Sequence, residues 1–189
     1  MESSAVLHSF RAAGALLEGH FRLSSGLHSG GYLQCALVLQ HPRQAAALGS
    51  ALADRVRDLG VTVVLSPALG GVVIGHEVAR ALDVRALFAE RQDGALALRR
   101  GFAIGRDDRV LVVEDVITTG KSTRETMEVA RAAGATVVGV AAIIDRGGAT
   151  DLGVPAHTLA TVALPAFDPA SCPLCAQGLP LVKPGSRPG

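Results

Sequence analysis

The chain has 189 residues, of which 49% are hydrophobic and 19% are charged, and its formal net charge is +1. This length and composition indicate a folded protein of one domain with a substantial buried core, not a disordered chain. The near-neutral charge argues against nucleic acid or a membrane surface as the main partner, and no apolar run is long enough to span a bilayer.

The N-terminal segment predicts an amphipathic helix. It lacks the cationic start and continuous apolar core of a signal peptide, and Val6, Phe10, Ala13 and Leu17 recur at helical spacing. The chain has 3 cysteines, an odd number that does not make a disulfide framework. We therefore expect a cytoplasmic protein.

The middle of the chain alternates between short apolar runs and stretches of helical character. Apolar, β-branched runs predict strands at 61–65, 86–89, 110–113, 137–144 and 158–164. Helices are predicted at 42–59, 71–82 and 122–133. This alternation is typical of an α/β domain whose mainly parallel sheet is covered by helices on both faces.

The remaining segments are richer in turn-forming residues. Residues 19–33 contain many glycines and serines and predict turns and short strands. Residues 93–105 predict an exposed loop or hairpin, and flanking glycines would let it move. Residues 165–189 hold most of the prolines and predict an irregular tail.

The segment RVLVVEDVITTGKST, residues 109–123, carries the clearest chemical signal. Two acids, Glu114 and Asp115, follow an apolar strand, and a Thr/Gly/Ser turn then leads into a helix. In an open parallel sheet, ligands bind beyond the carboxyl ends of the strands. The turn 118–122 offers N–H groups, hydroxyls and a helix N-terminus to a phosphate, and the acids can accept hydrogen bonds from sugar hydroxyls. The segment therefore predicts a site for a ribose phosphate.

Two other interpretations of this segment are weaker. A Walker A loop needs a glycine five residues before Gly120, and Asp115 stands there. An ordinary strand–turn–helix, in which the acids cap the helix, does not need two adjacent acids directly after an all-apolar strand.

The sequence VLVVEDVITTGKST resembles the phosphoribosyl pyrophosphate motif of the type I phosphoribosyltransferase family. Three further segments resemble its orotate-specific branch: GHFRLSSGLHSGGY at 19–32, SPALGGVVIG at 66–75 and IIDRG at 143–147. The resemblance implies the type I phosphoribosyltransferase fold, an α/β fold with a mainly parallel central sheet flanked by helices and a small hood. The hood would come mainly from about residues 15–40, with help from the tail, within a single domain over 1–189.

The resemblance implies transfer of a 5-phosphoribosyl group from phosphoribosyl pyrophosphate to orotate, giving orotidine 5′-monophosphate and pyrophosphate in pyrimidine biosynthesis. The residues that it assigns to phosphoribosyl pyrophosphate are Leu69, Gly70, Gly71, Arg91, Glu114, Asp115, Val116, Ile117, Thr118, Thr119, Gly120, Lys121 and Ser122. Thr118 and Arg146 match the positions that contact orotate, whose carboxylate suits the bidentate fork of an arginine. In the family, the 68–71 turn binds pyrophosphate and sometimes contains a cis peptide.

The implied catalytic residues are Asp115, Glu114 and Arg91, and no covalent nucleophile is required. In the family, the ribose becomes oxocarbenium-like while pyrophosphate departs as a Mg²⁺ complex, so the protein mainly positions the reactants and neutralises charge. Mg²⁺ is the implied cofactor, and because it keeps water and phosphate ligands, no protein residue is assigned as a metal ligand. Family members are typically homodimers, which we also expect here.

The loop at residues 90–101 departs from the family pattern. The best-known orotate enzymes carry a longer loop with an arginine, two lysines and a histidine, and only Arg91 has a clear match. Arg99 and Arg100 are the other available cations, although they also fit a solvated hairpin face. Ser24 stands where many members have lysine.

Two alternatives to an orotate enzyme remain open at this point. One is an enzyme of the same fold that acts on a purine or another base; the orotate-type N-terminal segment and Arg146 argue against it. The other is a regulator that senses phosphoribosyl pyrophosphate and binds nucleic acid, which the near-neutral charge argues against.

Cys172 and Cys175 have the spacing of half a zinc site. The chain has no second CxxC pair, and Cys35 is isolated, so a metal knuckle would need a second pair from another subunit. We expect ordinary reduced thiols in a tail. The histidines at 8, 20, 28, 41, 76 and 157 show no ligand spacing and receive no role.

Overall fold

The computed structural model describes residues 1–23 and 26–183, so Ser24 and the end of the predicted tail lie outside the described residues. The helices are α1 (Ser3–Ala12), α2 (Ala36–Leu39), α3 (Pro42–Val56), α4 (Gly70–Leu82), α5 (Lys121–Ala132) and α6 (Pro173–Ala176). The strands are β1 (Leu16–Arg22), β2 (His28–Leu33), β3 (Val63–Pro67), β4 (Arg85–Gln92), β5 (Ala95–Leu98), β6 (Arg109–Ile117), β7 (Thr136–Asp145), β8 (Ala156–Thr161), β9 (Ala166–Phe167) and β10 (Leu181–Val182). None of the helices in these ranges is long and apolar enough to cross a membrane.

The larger sheet has six strands in the order β5-β4-β3-β6-β7-β8. All neighbours are parallel except β5, which pairs antiparallel with β4. Helices α1, α3 and α4 cover one face and α5 covers the other. Because both faces are buried, the central strands are apolar at nearly every position, which is why they were visible in the sequence. The prediction of an α/β fold with a mainly parallel sheet is confirmed.

The smaller sheet has four strands in the order β10-β1-β2-β9 and forms a hood. β1 and β2 form an antiparallel hairpin, while β9 and β10 come from the C-terminal tail and pair with the two sides of that hairpin. The tail thus has short elements of its own, and the hood is built from both ends of the chain.

The N-terminal helix is shorter than its apolar spacing predicted. Val6 and Phe10 are fully buried on α1, but the helix ends at Ala12 and Leu17 lies in β1. Gly14, with φ of 64°, takes the left-handed conformation that ends a helix. Leu17 therefore continues the helical spacing only by chance, because it belongs to β1 and not to α1.

Strand β6 is longer than predicted and contains both acids. The prediction placed Glu114 and Asp115 after a strand at 110–113, whereas β6 continues to Ile117. Pairing with β7 continues to Ile117, which lies opposite Asp145. The hydrogen bonds between β6 and β7 stabilise this extension, so the strand continues although Glu114 and Asp115 have low strand propensity.

Candidate active site

Glu114 lies on the face of β6 that is covered by α5. Its side chain is buried, with 4% of the residue surface exposed, and Oε1 accepts a hydrogen bond of 2.5 Å from the Ser122 hydroxyl. Burial raises the pKa of Glu114 to about 8, against the lowering effect of the Ser122 hydrogen bond, and the Asp115 charge adds to the increase. Glu114 is therefore anchored to the start of α5 and easily protonated.

Asp115 points to the opposite face, as successive side chains of a strand do. Its Oδ1 accepts a hydrogen bond of 2.9 Å from the Val116 N–H. Burial raises the pKa of Asp115, while hydrogen bonds, including those from Val116 and Cys35, oppose the increase. Burial and the nearby Asp115 carboxylate raise the pKa of the Cys35 thiol well above its usual value. Asp115 thus lies on top of a neutral thiol.

The turn between β3 and α4, residues 68–71, lies beside Asp115. The peptide bond between Ala68 and Leu69 is cis. Gly70 has no room for a side chain, because a Cβ atom there would lie 2.9 Å from Oδ1 of Asp115. Gly71 packs on β6, where a Cβ atom would meet the Val113 carbonyl oxygen at 2.8 Å. The N-terminus of α4, which offers N–H donors and a positive dipole end, therefore adjoins the carboxylate.

The turn 118–122 joins β6 to α5 and is braced from below. Gly120 has φ of 72°, and a Cβ atom there would lie 2.8 Å from the Gly148 carbonyl oxygen. The Arg124 guanidinium donates to the Thr119 carbonyl at 2.9 Å and to the Asp151 carbonyl at 3.0 Å. The side chains of Thr118, Thr119 and Lys121 remain exposed. This is the geometry of an anion cradle: a fixed backbone, a helix N-terminus and accessible polar groups.

Arg146 follows β7 directly and is partly buried. Its backbone N–H donates to the Ile117 carbonyl at 2.8 Å, and its Nη2 donates to the Leu164 carbonyl at 3.3 Å. Its Nε is buried and has no hydrogen-bond partner among the described residues. Burial lowers the pKa of Arg146. A buried donor without an acceptor is costly, so a ligand oxygen at this position would be favourable.

Three adjoining cavities connect these residues. A cavity of about 360 Å³ is lined by Leu69, Gly70 and Asp115, and a second of about 330 Å³ by Asp115, Val116, Thr118 and Arg146. A third of about 650 Å³ is lined by Thr118, Thr119, Lys121 and Arg146, with Leu23, Leu27, Leu164 and Ala166 from the hood side. Asp115 is shared by the first two cavities, and Thr118 and Arg146 by the last two. Neighbouring cavities thus share lining residues from the 68–71 turn to the hood, and together they make up the cleft.

Comparison with known proteins identifies the family. Residues 36–152 match the phosphoribosyl transferase domain. The orotate phosphoribosyltransferase of Pelotomaculum thermopropionicum is 53% identical over 188 residues, which cover 99% of each chain. This chain belongs to the orotate phosphoribosyltransferase family.

Solved structures agree with the family assignment. The crystal structure of the orotate phosphoribosyltransferase from Aeropyrum pernix is similar with a TM-score of 0.71 and 28% identity, over 83% of this chain and 93% of that chain. The Mycobacterium tuberculosis orotate phosphoribosyltransferase in complex with 5-phospho-α-D-ribosyl 1-diphosphate has a TM-score of 0.62 and 25% identity, over 69% of this chain and 81% of that chain. As an orotate phosphoribosyltransferase, the chain is a transferase with the type I fold.

Most residues that the family resemblance assigned are brought together by the structure. Leu69, Gly70, Asp115, Val116, Thr118, Thr119, Lys121 and Arg146 line the cleft. Ile117 is an exception, because its side chain is packed in the core with 1% exposed. This residue can therefore offer only its backbone groups to a ligand in the cleft. The cleft walls are supported by buried contacts of Glu114 with Ser122, of Gly71 with Val113, and of Gly120 with Gly148.

Arg91 lies outside these three cavities. It is on β4, where it donates to the Gly94 carbonyl at 2.8 Å and to the Glu125 carboxylate at 2.5 Å. Lys121 lies 3.9 Å from the same carboxylate. Arg91 is thus held against α5 near the 118–122 turn, two residues before the segment 93–105 that was predicted as a loop or hairpin.

The hood also contains polar residues that were not singled out in the sequence. Arg22, Tyr32, Gln34 and Lys183 line the second cavity. Arg22 and Tyr32 lie within the 19–32 segment that carried part of the family resemblance, whereas no motif or spacing pointed to Gln34 or Lys183. His20, His28, Cys172 and Cys175 form a separate cluster in the hood. The spacing of the cysteines indicated half a metal site, but the histidines received no role because they show no ligand spacing in the sequence. A His-x7-His pair considered together with the CxxC pair would have indicated four ligands.

Proposed function

We propose that this orotate phosphoribosyltransferase joins orotate to the ribose C1 of phosphoribosyl pyrophosphate and releases pyrophosphate through the residues of the cleft. The observation that carries this assignment is the row of three adjoining cavities, with Asp115 between the two glycine-containing turns. A substrate with phosphate at one end, a ribose in the middle and pyrophosphate at the other end matches that sequence of groups.

In this proposal the 118–122 turn binds the 5′-phosphate, and the 68–71 turn binds pyrophosphate. Both are glycine-containing turns at helix N-termini, where N–H donors and the helix dipole favour anions. Glu114 and Asp115 accept hydrogen bonds from the ribose hydroxyls. Val116 and Ile117 contribute backbone groups between these two regions.

Orotate would lie in the larger cavity, against Thr118 and Arg146. In the part of the chain that the structure describes, no acceptor meets the buried Nε of Arg146, and a planar carboxylate can satisfy it together with a second guanidinium N–H. Leu23, Leu27 and Leu164 would pack on the pyrimidine ring. A carboxylate-bearing base therefore fits better than a neutral one.

Mg²⁺ is the proposed cofactor. Asp115 is the carboxylate that lines both cavities beside the 68–71 turn among the described residues, and carboxylate and phosphate oxygens are the ligands that Mg²⁺ prefers. Asp115 would therefore lie beside the ion, whose ligands would be substrate oxygens and water. Bound Mg²⁺ supplies Lewis-acid stabilisation of the departing pyrophosphate. The protein's own contribution is to fix ribose and base in line and to surround the leaving group with N–H donors.

We also propose that the chain acts as a single domain with its hood, and as a homodimer, as the family resemblance implies. It acts in the cytoplasm, a reducing compartment that suits its free cysteines, Cys35, Cys172 and Cys175. Light scattering of the purified chain tests the dimer, and a monomer at working concentration would remove that part.

The experiment is orotate consumption with phosphoribosyl pyrophosphate and Mg²⁺. Asp115→Asn should abolish most turnover. Arg146→Lys should raise the KM for orotate about 10- to 100-fold with little change in the KM for phosphoribosyl pyrophosphate, because a charge-assisted bidentate contact is lost. Arg131→Lys, which exchanges a surface arginine paired with Glu128, is the matched control.

The outcomes separate base choice from fold. Magnesium-dependent loss of orotate that depends on Asp115 and Arg146 supports the proposal. If orotate were not consumed while phosphoribosyl pyrophosphate still bound, the base assignment would be wrong. A panel of purine and pyrimidine bases would then identify the acceptor.

A further inference from the structure

Four metal-ligating side chains meet in the hood, apart from the cleft. They are His20 on β1, His28 on β2, and Cys172 and Cys175 at the start and end of one turn of α6. Their ligand atoms all lie within 4.8 Å of one another. We propose that these four residues bind one Zn²⁺ ion, which fastens the C-terminal tail to the hood hairpin.

Four distances between ligand atoms of the cluster are close to those of a tetrahedral site. His20 Nε2 lies 3.0 Å from His28 Nδ1, 3.6 Å from Cys172 Sγ and 3.7 Å from Cys175 Sγ, and Cys175 Sγ lies 3.3 Å from His28 Nδ1. With Zn–N near 2.0 Å and Zn–S near 2.3 Å, a tetrahedron places its ligand atoms roughly 3.3–3.8 Å apart. The four atoms therefore surround a point at bonding distance with only small side-chain rotations.

The orientation of His20 supports ligation over simple burial. Its Nδ1 lies 2.9 Å from the Leu179 carbonyl oxygen, and since a carbonyl can only accept, Nδ1 carries the hydrogen. The lone pair of the neutral ring is therefore on Nε2, which points to the two sulfurs and to His28. In zinc sites, the ring nitrogen of a histidine ligand that does not bind the metal usually donates to a carbonyl, a carboxylate or water, as His20 Nδ1 does here.

The donor set favours zinc and a structural role. Two thiolates and two imidazoles in a tetrahedron suit Zn²⁺, and four protein ligands leave no open position for a water or substrate. Binding releases the two thiol protons to solvent, so the two thiolates neutralise the ion's charge. His20, His28 and Cys172 are buried, while Cys175 is exposed and gives the ion a path of entry.

The ion would join parts of the chain that are distant in sequence. His20 and Cys172 are separated by 152 residues. His20 takes part in the pairing of β1 with β10, and His28 in the pairing of β2 with β9. Each of these pairings has only two residue pairs in register. Strands this short contribute little by themselves, so the metal would supply the main attachment of the tail.

The test uses the full chain, produced without a histidine tag and purified without chelator. Elemental analysis should find about one zinc per chain. Cys175→Ser, which alters an exposed ligand, and His20→Ala should each lower the zinc content at least about tenfold. His8→Ala, on the exposed surface of α1, is the matched control and should keep its zinc. Circular dichroism should show that Cys175→Ser remains folded.

Cobalt and thiol chemistry provide readouts that need no activity. Chain refilled with Co²⁺ should show thiolate charge-transfer bands and intense tetrahedral visible bands, and Cys175→Ser should weaken both. Native wild type should protect Cys175 from a thiol reagent until chelator is added. Absence of zinc together with failure to bind added Zn²⁺ or Co²⁺ would overturn the proposal, as would a Cys172–Cys175 disulfide in the chain purified under reducing conditions.

Discussion

Gly70 and Asp115 are packed so closely that a Cβ atom on Gly70 would lie 2.9 Å and 3.0 Å from the two carboxylate oxygens. The two residues come from different elements, Gly70 from the start of α4 and Asp115 from the C-terminal part of β6. Their contact fixes the distance between the proposed pyrophosphate turn and the proposed ribose acid. This relationship leads to the first prediction.

Gly70→Ala should displace the Asp115 carboxylate. Because a misplacement of about 1 Å in a catalytic group can cost on the order of 100-fold, we expect kcat/KM for phosphoribosyl pyrophosphate to fall about 10- to 100-fold. Steady-state kinetics measure it. Gly105→Ala is the control, since a Cβ atom there meets Asp108 Oδ2 only at 3.9 Å. Equal activity in Gly70→Ala and wild type would show that this contact does not position Asp115.

Glu114 should make stability depend on pH. Its pKa is about 8 in the folded chain against an ordinary value of 4.5. The folded state therefore holds more protons than the unfolded state between these values, so wild-type stability should fall as pH rises from about 4.5 to about 8. Glu114→Gln cannot ionise and should lack this loss.

The measurement for Glu114 is thermal unfolding at several pH values across that window. The Tm of Glu114→Gln relative to wild type should rise with pH. Glu128→Gln, an exposed exchange on α5, should follow wild type at all pH values. A constant difference between Glu114→Gln and wild type would contradict the raised pKa.

Ser122 should tune the protonation of Glu114. Its hydroxyl donates the 2.5 Å hydrogen bond that lowers the Glu114 pKa, so Ser122→Ala should raise that pKa further. If ionised Glu114 binds a ribose hydroxyl, the rising limb of kcat/KM against pH should move to higher pH. Ser122→Thr keeps the hydroxyl and serves as the control. A limb that stays in place, or moves to lower pH, would rule out this role for Glu114.

Substitution of Arg91 and of Arg100 should affect activity differently, although Arg91 lies on β4 and Arg100 just after β5 of the same hairpin. We expect Arg91→Ala to lower kcat/KM for phosphoribosyl pyrophosphate at least about tenfold, as its proposed role in neutralising pyrophosphate requires. Arg100 is held by two hydrogen bonds of 2.8 Å to Glu90 and lies over the Phe88 ring. Arg100→Ala should therefore lower Tm slightly and leave kinetics nearly unchanged. The reverse pattern would transfer the proposed role to Arg100.

The sequence allowed several features to be predicted because they depend on local chemistry. Asp93 and Gly94 form the tight turn between β4 and β5, with φ of 51° and 87°, as an Asp-Gly pair in a predicted hairpin should. The 118–122 turn was identified because glycine, threonine and serine at fixed spacing are needed to approach a phosphate. Strand ends were less accurate: β3 begins at Val63, two residues later than predicted, since backbone pairing with neighbours decides where a strand begins.

The order of residues along the chain thus determined the alternation of strands and helices, the phosphate turn and the family, because each of these depends on neighbours within about 15 residues. Only the tertiary structure decided that Gly70 packs against Asp115, that the buried Arg146 Nε has no hydrogen-bond partner within residues 1–23 and 26–183, and that His20 meets Cys172. These features depend on segments that are distant in the sequence, and their distances follow from the order of the strands in the two sheets. The four-residue hood cluster shows the difference most clearly, since neither of its halves is a metal site until the fold brings them together.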